Sequence, residues 1–169
     1  PVIQWVEDAA RRIKGVNHVQ VLWAHDYSTL LDEEDVLGRF HLAWQRLVHP
    51  YSTIMRLTGD CPLIDPVVCG LVLRTHLEGG YNYTSNIYPM RTFPDGMDCE
   101  VFSDVTLVEA NHYANHPSDR EHVTPWMQRG RDIGSVTLPI DWSHVRLTLD
   151  IERDLNWLRS VVSYHKENT

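Results

Sequence analysis

Two aspartates, Asp60 and Asp150, stand at points of the sequence where a carboxylate could bind a metal ion. Asp60 follows the β-rich run 52–57 and a glycine, Gly59, while Asp150 directly follows the apolar run 145–149. Proteins bind Mg²⁺ through one or two carboxylates together with substrate phosphates. The pair therefore indicates phosphoryl-transfer chemistry, provided that the fold brings the two residues together.

Each of these aspartates also has a structural interpretation. Asp60 could bind backbone amides within a turn, and Asp150 could be the N-cap of a helix that starts at Ile151. For Asp150 the two interpretations are compatible, since a capping carboxylate keeps one oxygen free. The local pattern leaves both possibilities open for each aspartate.

Polar residues between the two aspartates are candidates for binding a sugar. Asn86 follows the strand-like run 81–84, and Asp95, Asp98 and Glu100 lie in a turn and the run after it. Acceptors and amides crowded into a turn suit sugar hydroxyls, although Pro-Asp-Gly is also an ordinary turn. Asp98 and Glu100 alternate, so both should point to one face of a strand, which is either solvent or a polar site.

Residues 118–125 contain both basic and acidic side chains. Ser118 and Glu121 have the spacing of a capping box, which gives Glu121 a structural role. Arg120 is not explained by capping, and its guanidinium could bind a carboxylate or a phosphate.

The elements that must position these residues alternate along the chain. Apolar spacing predicts helices at 2–13, 34–47, 67–77, 104–114, 119–128 and 151–161, and strands at 18–23, 52–57, 81–84, 99–102 and 145–149. Asp65 and Pro66 have the form of an N-cap and a first helical residue. The alternation predicts an α/β fold of three layers with a mostly parallel mixed sheet, in which ligands bind beyond the carboxyl ends of the strands.

Composition restricts the class of protein. The 169 residues, 43% hydrophobic and 22% charged, are enough for one domain with a sizeable core. The net charge of -8 argues against a general nucleic-acid binder. Cys61, Cys69 and Cys99 lack CxxC spacing, so neither disulfides nor zinc are expected. With no candidate membrane span or signal peptide in the sequence, we expect a cytoplasmic protein.

Four segments, in order, resemble a known family. Residues 52–66, 83–102, 119–126 and 146–158 are similar to the sugar cytidylyltransferases of the spore coat polysaccharide and acylneuraminate type. The combination of Thr-Gly-Asp-Cys-Pro-Leu-Ile-Asp-Pro, Pro-Asp-Gly-Met-Asp and Arg-Glu-His-Val-Thr-Pro is specific, although no single motif would be. The similarity covers most of the chain from Asp35 onward.

The resemblance implies a Rossmann-like nucleotidyltransferase fold and an activity. The expected reaction transfers CMP from CTP to a sugar or sugar acid, releases pyrophosphate, and serves surface polysaccharide biosynthesis. Mg²⁺ is the implied cofactor, and a homodimer is possible. By position, the resemblance makes Asp60 and Asp150 the catalytic, metal-binding carboxylates and places Asp35 and Arg39 near the nucleotide. It also implies a sugar-facing set, which comprises Asn86, Asp95, Asp98, Glu100, Arg120 and Glu121.

The sequence also departs from the family pattern. Family members begin with a strand and a Gly-rich phosphate loop, and they have a further helix and strand where this chain has only the short stretch 27–34. We therefore expect residues 1–169 to form a single nucleotidyltransferase domain, incomplete at its N-terminus and interrupted near 24–29.

Two alternatives to this enzyme stay open at the level of sequence. One is a non-catalytic nucleotide- or sugar-binding remnant of the fold. The other is a metal-dependent glycosyltransferase, which usually has an Asp-x-Asp motif at a strand end. Asp60 has no acidic partner two residues away, and Asp98 with Glu100 is only an approximate substitute.

Overall fold

Helices and strands alternate along the part of the chain that the computed structural model describes, residues 1–48 and 51–167. The helices are α1 (Val2–Arg11), α2 (Val36–Gln45), α3 (Pro66–Gly79), α4 (Asp104–Tyr113), α5 (Pro117–His122), α6 (Pro125–Gln128) and α7 (Glu152–Glu167). The strands are β1 (Thr53–Arg56), β2 (Tyr83–Ser85), β3 (Glu100–Ser103) and β4 (Ile133–Ser135). A short 3-10 helix covers Ala24–Asp26. Within the described residues, no helix is both long and apolar enough to cross a membrane.

The four strands form one sheet in the order β1-β3-β2-β4. The expected α/β class with a mixed sheet is confirmed, but the sheet is not mostly parallel. β3 pairs antiparallel with both β1 and β2, and only β2 and β4 are parallel. The reason is that residues 86–99 connect β2 to β3 without a helix, and a connection without a crossover helix returns the chain in the antiparallel direction.

Helices cover both faces of this sheet, which gives the expected three layers. Successive side chains of β3 point to opposite faces, so Val101 packs with α1 and α3 while Phe102 packs with α2, α4 and α6. The first core contains Val6, Ala9, Ile13, Cys69, Val72, Leu73 and Val101. The second contains Leu37, Tyr83, Phe102, Leu107, Ala110, Val123 and Met127.

Two of the predicted strands are absent from the sheet. Residues 18–23 have strand-like composition but lie outside the named strands. Residues 145–149 are extended, but they bond to two separate loops instead of to one strand: Leu147 N–H donates to Asp95 O at 2.6 Å and Leu149 N–H to Asp60 O at 2.8 Å. A β-rich run becomes a strand only where a partner offers consecutive backbone groups.

The helix predicted at 119–128 is divided into α5 and α6. Pro125 has no N–H to continue a helix, and Val123 ends α5 with a positive φ of 72°. The capping box predicted for Ser118 and Glu121 is also wrong, because α5 begins two residues earlier, with His116 as its N-cap. The Asp65 cap and Pro66 start of α3 are confirmed.

Candidate functional site

One backbone and one side-chain hydrogen bond join the loop that carries Asp60 to the segment that carries Asp150. Leu149 N–H donates to Asp60 O at 2.8 Å, and Thr148 Oγ1 donates to Asp60 Oδ2 at 3.2 Å. Asp150 is the next residue along the chain. The structure therefore brings the two predicted metal ligands to one rim of the sheet.

The position of Asp60 follows from the elements on either side of it. β1 ends at Arg56, and the turn after it is closed by Cys61 N–H donating to Thr58 O at 3.3 Å. The chain then enters α3, where the Asp65 carboxylate accepts from Val67 N–H at 2.7 Å. Asp65 thus caps a helix, while the Asp60 carboxylate stands at the strand end.

Arg146 binds three carboxylates, one of which is that of Asp150. Its guanidinium donates to Asp95 Oδ2 at 2.9 Å, to Asp154 Oδ1 at 3.1 Å and to the Asp150 carboxylate. Asp154 also accepts the backbone N–H groups of Asp150 and Ile151, at 3.0 and 3.1 Å. α7 begins at Glu152, so Asp150 precedes the N-cap position, and the N-cap predicted for Asp150 is wrong.

Arg91 fixes the remaining carboxylate of the rim. It donates two hydrogen bonds to Asp98, at 2.6 and 2.7 Å, and lies 3.7 Å from Asp95. We call the set Asp60, Asp95, Asp98, Asp150, Asp154, Arg91 and Arg146 the rim cluster. Its carboxylates outnumber its guanidiniums, and the Asp150 side chain is 50% exposed, so the rim favours a cation.

Cys61 lies beside Asp60 of the rim cluster, but it is not a nucleophile. Burial raises the pKa of its thiol to about 12, and the negative charges of Asp60 and Asp98 contribute in the same direction. The Thr58 hydroxyl, 3.0 Å from Sγ, opposes this shift only partly. The thiol is therefore protonated at neutral pH, which excludes thiolate chemistry at this site.

Asn86 lies beside the rim cluster, with both polar atoms bonded to the backbone. Its side chain is fully buried, Nδ2 donates to Met97 O at 2.6 Å, and Oδ1 accepts from Cys99 N–H at 2.9 Å. These bonds hold the segment that carries Asp98.

Glu100 lies in the interior, 1% exposed. Oε1 accepts from the hydroxyls of Tyr83 and Thr124, both at 2.6 Å, and Oε2 accepts from Arg56 at 2.6 Å. Burial, followed by the nearby Glu100 charge, raises the pKa of Tyr83, so the phenol stays a donor. The predicted sugar contact thus has three protein partners.

Asp35 and Arg39, which were predicted near the nucleotide, form a separate group around α2 and α5 together with Arg120 and Glu121, which were predicted to face the sugar. Arg120 donates to both oxygens of Asp35, at 2.9 Å each, and Asp35 also caps α2 through Gly38 N–H at 3.0 Å. Arg39 is buried and donates to Glu33 O, while Glu121 is exposed. No hydrogen bond or ion pair within residues 1–48 and 51–167 joins this group to the rim cluster.

Four residues of the site were missed from the sequence: Arg91, Arg146, Thr148 and Asp154. A signal was present for the two arginines, because Arg91 and Asp95, and Arg146 and Asp150, are each four residues apart. Such spacing is expected for ion pairs on helices. Here both pairs lie in loops, where this spacing is not expected to form ion pairs.

The rim cluster is suited to an ion that the substrate helps to bind. Among the residues that the structure describes, no group of three or more His, Cys, Asp or Glu side chains is arranged to hold a metal by itself. Asp60 and Asp150 supply two carboxylates on adjoining segments. Proteins usually bind Mg²⁺ through one or two carboxylates, with phosphates and water completing the coordination, so these two residues could hold such an ion only together with a substrate.

Gly96 keeps the two segments of the rim together, and its replacement gives a first prediction. Its φ is +102°, and an added Cβ would lie 2.5 Å from the backbone at both Leu147 C and Thr148 N. Gly96→Ala should therefore lower the free energy of unfolding by about 2 kcal/mol or more, measured by urea unfolding. The control is Gly70→Ala in α3, where no atom lies within 4 Å, and which should stabilise by about 0.5 kcal/mol or more. Equal unfolding midpoints for the two variants would contradict this interpretation.

Asp154 gives a prediction about pH. Hydrogen bonds from Arg146 first, and then from the backbone N–H of Asp150, lower the pKa of its carboxyl. A carboxyl whose pKa is lower in the folded than in the unfolded state adds stability above about pH 4 and loses it as the pH falls further. Asp154→Asn should lower stability at neutral pH and flatten the loss of stability in acid, measured by urea unfolding across this range. Asp8→Asn, at an exposed position of α1, should keep the wild-type slope, and a wild-type slope in Asp154→Asn would disprove the assignment.

Comparison with known proteins agrees with this architecture. No protein-family model matches the chain. It is 29% identical over 127 residues to an uncharacterised protein of Methanocaldococcus jannaschii. The aligned residues make up 72% of this chain and 50% of that protein. It is 31% identical over 87 residues to the spore coat polysaccharide biosynthesis protein SpsF of Bacillus subtilis. These residues make up 50% of this chain and 35% of the relative. The chain thus spans half or less of the length of these curated relatives.

Two solved structures share the fold. A cytidylyltransferase from Leptospira borgpetersenii serovar Hardjo-bovis superposes with a TM-score of 0.81 at 24% identity, over 96% of this chain and 76% of that one. A CMP:2-keto-3-deoxy-manno-octonic acid synthetase complexed with CTP superposes with a TM-score of 0.70 at 13% identity. The superposition covers 98% of this chain and 88% of that one. The nucleotidyltransferase-like fold and the resemblance to sugar cytidylyltransferases are confirmed.

Proposed function

We propose that the protein is a nucleotidyltransferase that transfers CMP from CTP to a sugar or sugar acid and releases pyrophosphate. The observation that carries this proposal is the pairing of the Asp60 and Asp150 segments through the 2.8 Å bond between Leu149 N–H and Asp60 O. The fold shared with two cytidyl-transferring enzymes supports it. The similarity to the Bacillus subtilis spore coat polysaccharide biosynthesis protein supports a place in surface polysaccharide biosynthesis.

Transfer of the CMP group leaves little covalent chemistry for the protein to perform. A sugar hydroxyl loses its proton and forms a bond to the α-phosphorus of CTP, while the bond to the pyrophosphate oxygen breaks in line. A divalent cation held by Asp60 and Asp150 would neutralise charge on the phosphoryl oxygens. The protein positions both carboxylates: Thr148 binds the side chain of Asp60, and Arg146 binds the side chain of Asp150.

The predicted sugar contacts divide into two roles under this proposal. Asp95 and Asp98 belong to the rim cluster, where their oxygens can accept from sugar hydroxyls. Asn86, Glu100 and Arg120 instead position other groups, because their polar atoms are bonded to protein partners. Glu121 is exposed and stays a predicted contact, as do Asp35 and Arg39 for the nucleotide.

A non-catalytic binding protein is the second candidate. The observation in its favour is that the Asp150 and Asp98 carboxylates are already paired with Arg146 and Arg91. In such a protein the rim cluster would be a structural network, and CTP or a sugar would bind without reaction.

The test is an assay of pyrophosphate release by the full-length protein with CTP, Mg²⁺ and a panel of sugars and sugar acids. We expect release with at least one member, and none when the metal is chelated. Binding of CTP without release for any member would establish the non-catalytic alternative. Release of a nucleoside diphosphate from a nucleotide sugar would instead indicate a metal-dependent glycosyltransferase.

A further inference from the structure

The extended run 145–149 has different partners along its two edges. Asp95 bonds to one edge through its backbone N–H and C=O, at 2.9 and 2.6 Å. Because the backbone groups of successive residues in an extended chain point in opposite directions, the C=O of Arg146 points to the other edge. There it accepts a hydrogen bond from the indole Nε1–H of Trp157 at 2.8 Å. Trp157 therefore borders the rim cluster on the side opposite to the backbone of Asp95.

Helix α7 places Trp157 next to a member of the rim cluster. Asp154, in the first turn of this helix, accepts from the Arg146 guanidinium at 3.1 Å, and Trp157 follows three residues later. Residues that are three apart on a helix lie on the same side of it. Asp154 and Trp157 therefore bind the same arginine, one at its guanidinium and the other at its backbone C=O.

The indole ring of Trp157 is fixed in orientation but uncovered. Its one polar atom is hydrogen-bonded, and the residue is nevertheless 51% exposed. No other aromatic or imidazole ring contacts it within residues 1–48 and 51–167, whereas four other tryptophans have such a contact: Trp23, Trp44, Trp126 and Trp142. Trp157 thus offers a rigid apolar surface at the border of the rim cluster, where the Asp95 side chain is 38% exposed.

We propose that Trp157 is an aromatic platform on which the acceptor sugar stacks, and that it selects acceptors in ring form. This inference rests on the proposed transfer of CMP to a sugar. One face of a sugar ring carries C–H groups and packs against an aromatic face, while the hydroxyls at its margin need hydrogen-bond acceptors. The indole of Trp157 and the carboxylate of Asp95 supply these two contacts. An open-chain acid has no continuous C–H face and loses the stacking.

The first test compares Trp157→Leu with Trp157→Phe in the full-length protein. Both variants lack the indole N–H, but only Phe keeps an aromatic face. Pyrophosphate release is measured with the sugar that gives the highest rate. We expect Trp157→Leu to raise the KM for this sugar about fivefold or more and Trp157→Phe no more than about twofold, with kcat and the KM for CTP unchanged. Trp5→Leu, at a position of α1 that is also 51% exposed, should match the wild type.

The second test measures binding without turnover. Glucuronate and gluconate carry the same charge and the same number of carbons, but glucuronate closes to a ring and gluconate is an open chain. In saturation-transfer NMR titrations without CTP, the wild type and Trp157→Phe should bind glucuronate about fivefold or more tighter than gluconate. Trp157→Leu should bind the two acids equally.

The outcomes separate this inference from the proposed function. All variants are first checked for wild-type circular dichroism. Equal sugar KM values in Trp157→Leu and Trp157→Phe would overturn the platform, as would a raised KM for CTP, which would place the cytosine base on the indole. No preference of the wild type for glucuronate would overturn it as well. A preference for glucuronate without pyrophosphate release from any sugar would keep the platform and disprove the proposed transfer.

Discussion

Replacing Asp60 with Asn should lower the rate of pyrophosphate release by about 10²-fold or more, in the reaction with the sugar that gives the highest rate. The substitution keeps the volume of the side chain and the hydrogen bond from Thr148, and removes the charge. Since positioning and electrostatics provide most of the catalysis in phosphoryl transfer, loss of one ligand charge should affect the rate far more than it affects folding. The measurement is kcat at saturating CTP and Mg²⁺.

The control for this variant is Asp26→Asn, which removes a carboxylate from the exposed 3-10 helix at Ala24–Asp26. It should leave kcat within a factor of about two, because Asp26 is exposed and contacts His25, outside the rim cluster. A rate for Asp60→Asn equal to that of Asp26→Asn would show that Asp60 has no catalytic part.

Replacing Glu100 with Gln should destabilise the protein by about 3 kcal/mol or more. The carboxylate accepts hydrogen bonds from Arg56, Tyr83 and Thr124, all at 2.6 Å, in the interior of the sheet. Gln keeps the shape, but it removes the counter-charge of Arg56 and puts an N–H₂ group among donors. Urea unfolding at neutral pH measures the change.

Glu121→Gln makes the same chemical change at an exposed position of α5. It should alter the free energy of unfolding by less than about 0.5 kcal/mol. If Glu100→Gln unfolded at the same urea concentration as Glu121→Gln, Glu100 would not be the centre of a buried network. A direct contact with the sugar would then become the better account of that residue.

Helices and strands that are signalled by neighbouring residues could be predicted from the sequence. α3 begins where Asp65 and Pro66 predict it, and α2 has the apolar face that its spacing predicts. The meeting of Asp60 and Asp150 was also predictable in outline, because both follow β-rich runs and strand ends tend to gather at one edge. What failed was the inference that residues 145–149 reach that edge as a strand.

Most partners of each segment were not predictable, because they depend on distant residues. The antiparallel return of β3 to β2 could have been inferred from the helix-free connection at 86–99, but nothing near Arg146 says that it bonds to Asp95, 51 residues away. Glu100 shows the same limit. Its alternation with Asp98 predicted a polar face, but only the packing of Tyr83 and Thr124 makes that face interior.

The proposed reaction depends on one divalent ion shared by Asp60 and Asp150 when CTP is bound. Calorimetric titration of Mn²⁺ into the CTP-saturated protein tests this directly, with Asp60→Asn, Asp150→Asn and Asp26→Asn as variants. We predict one site in the wild type and in Asp26→Asn, and affinity reduced about tenfold or more in each of the other two variants. Wild-type affinity in Asp150→Asn would contradict the account, because the two carboxylates would then not share an ion.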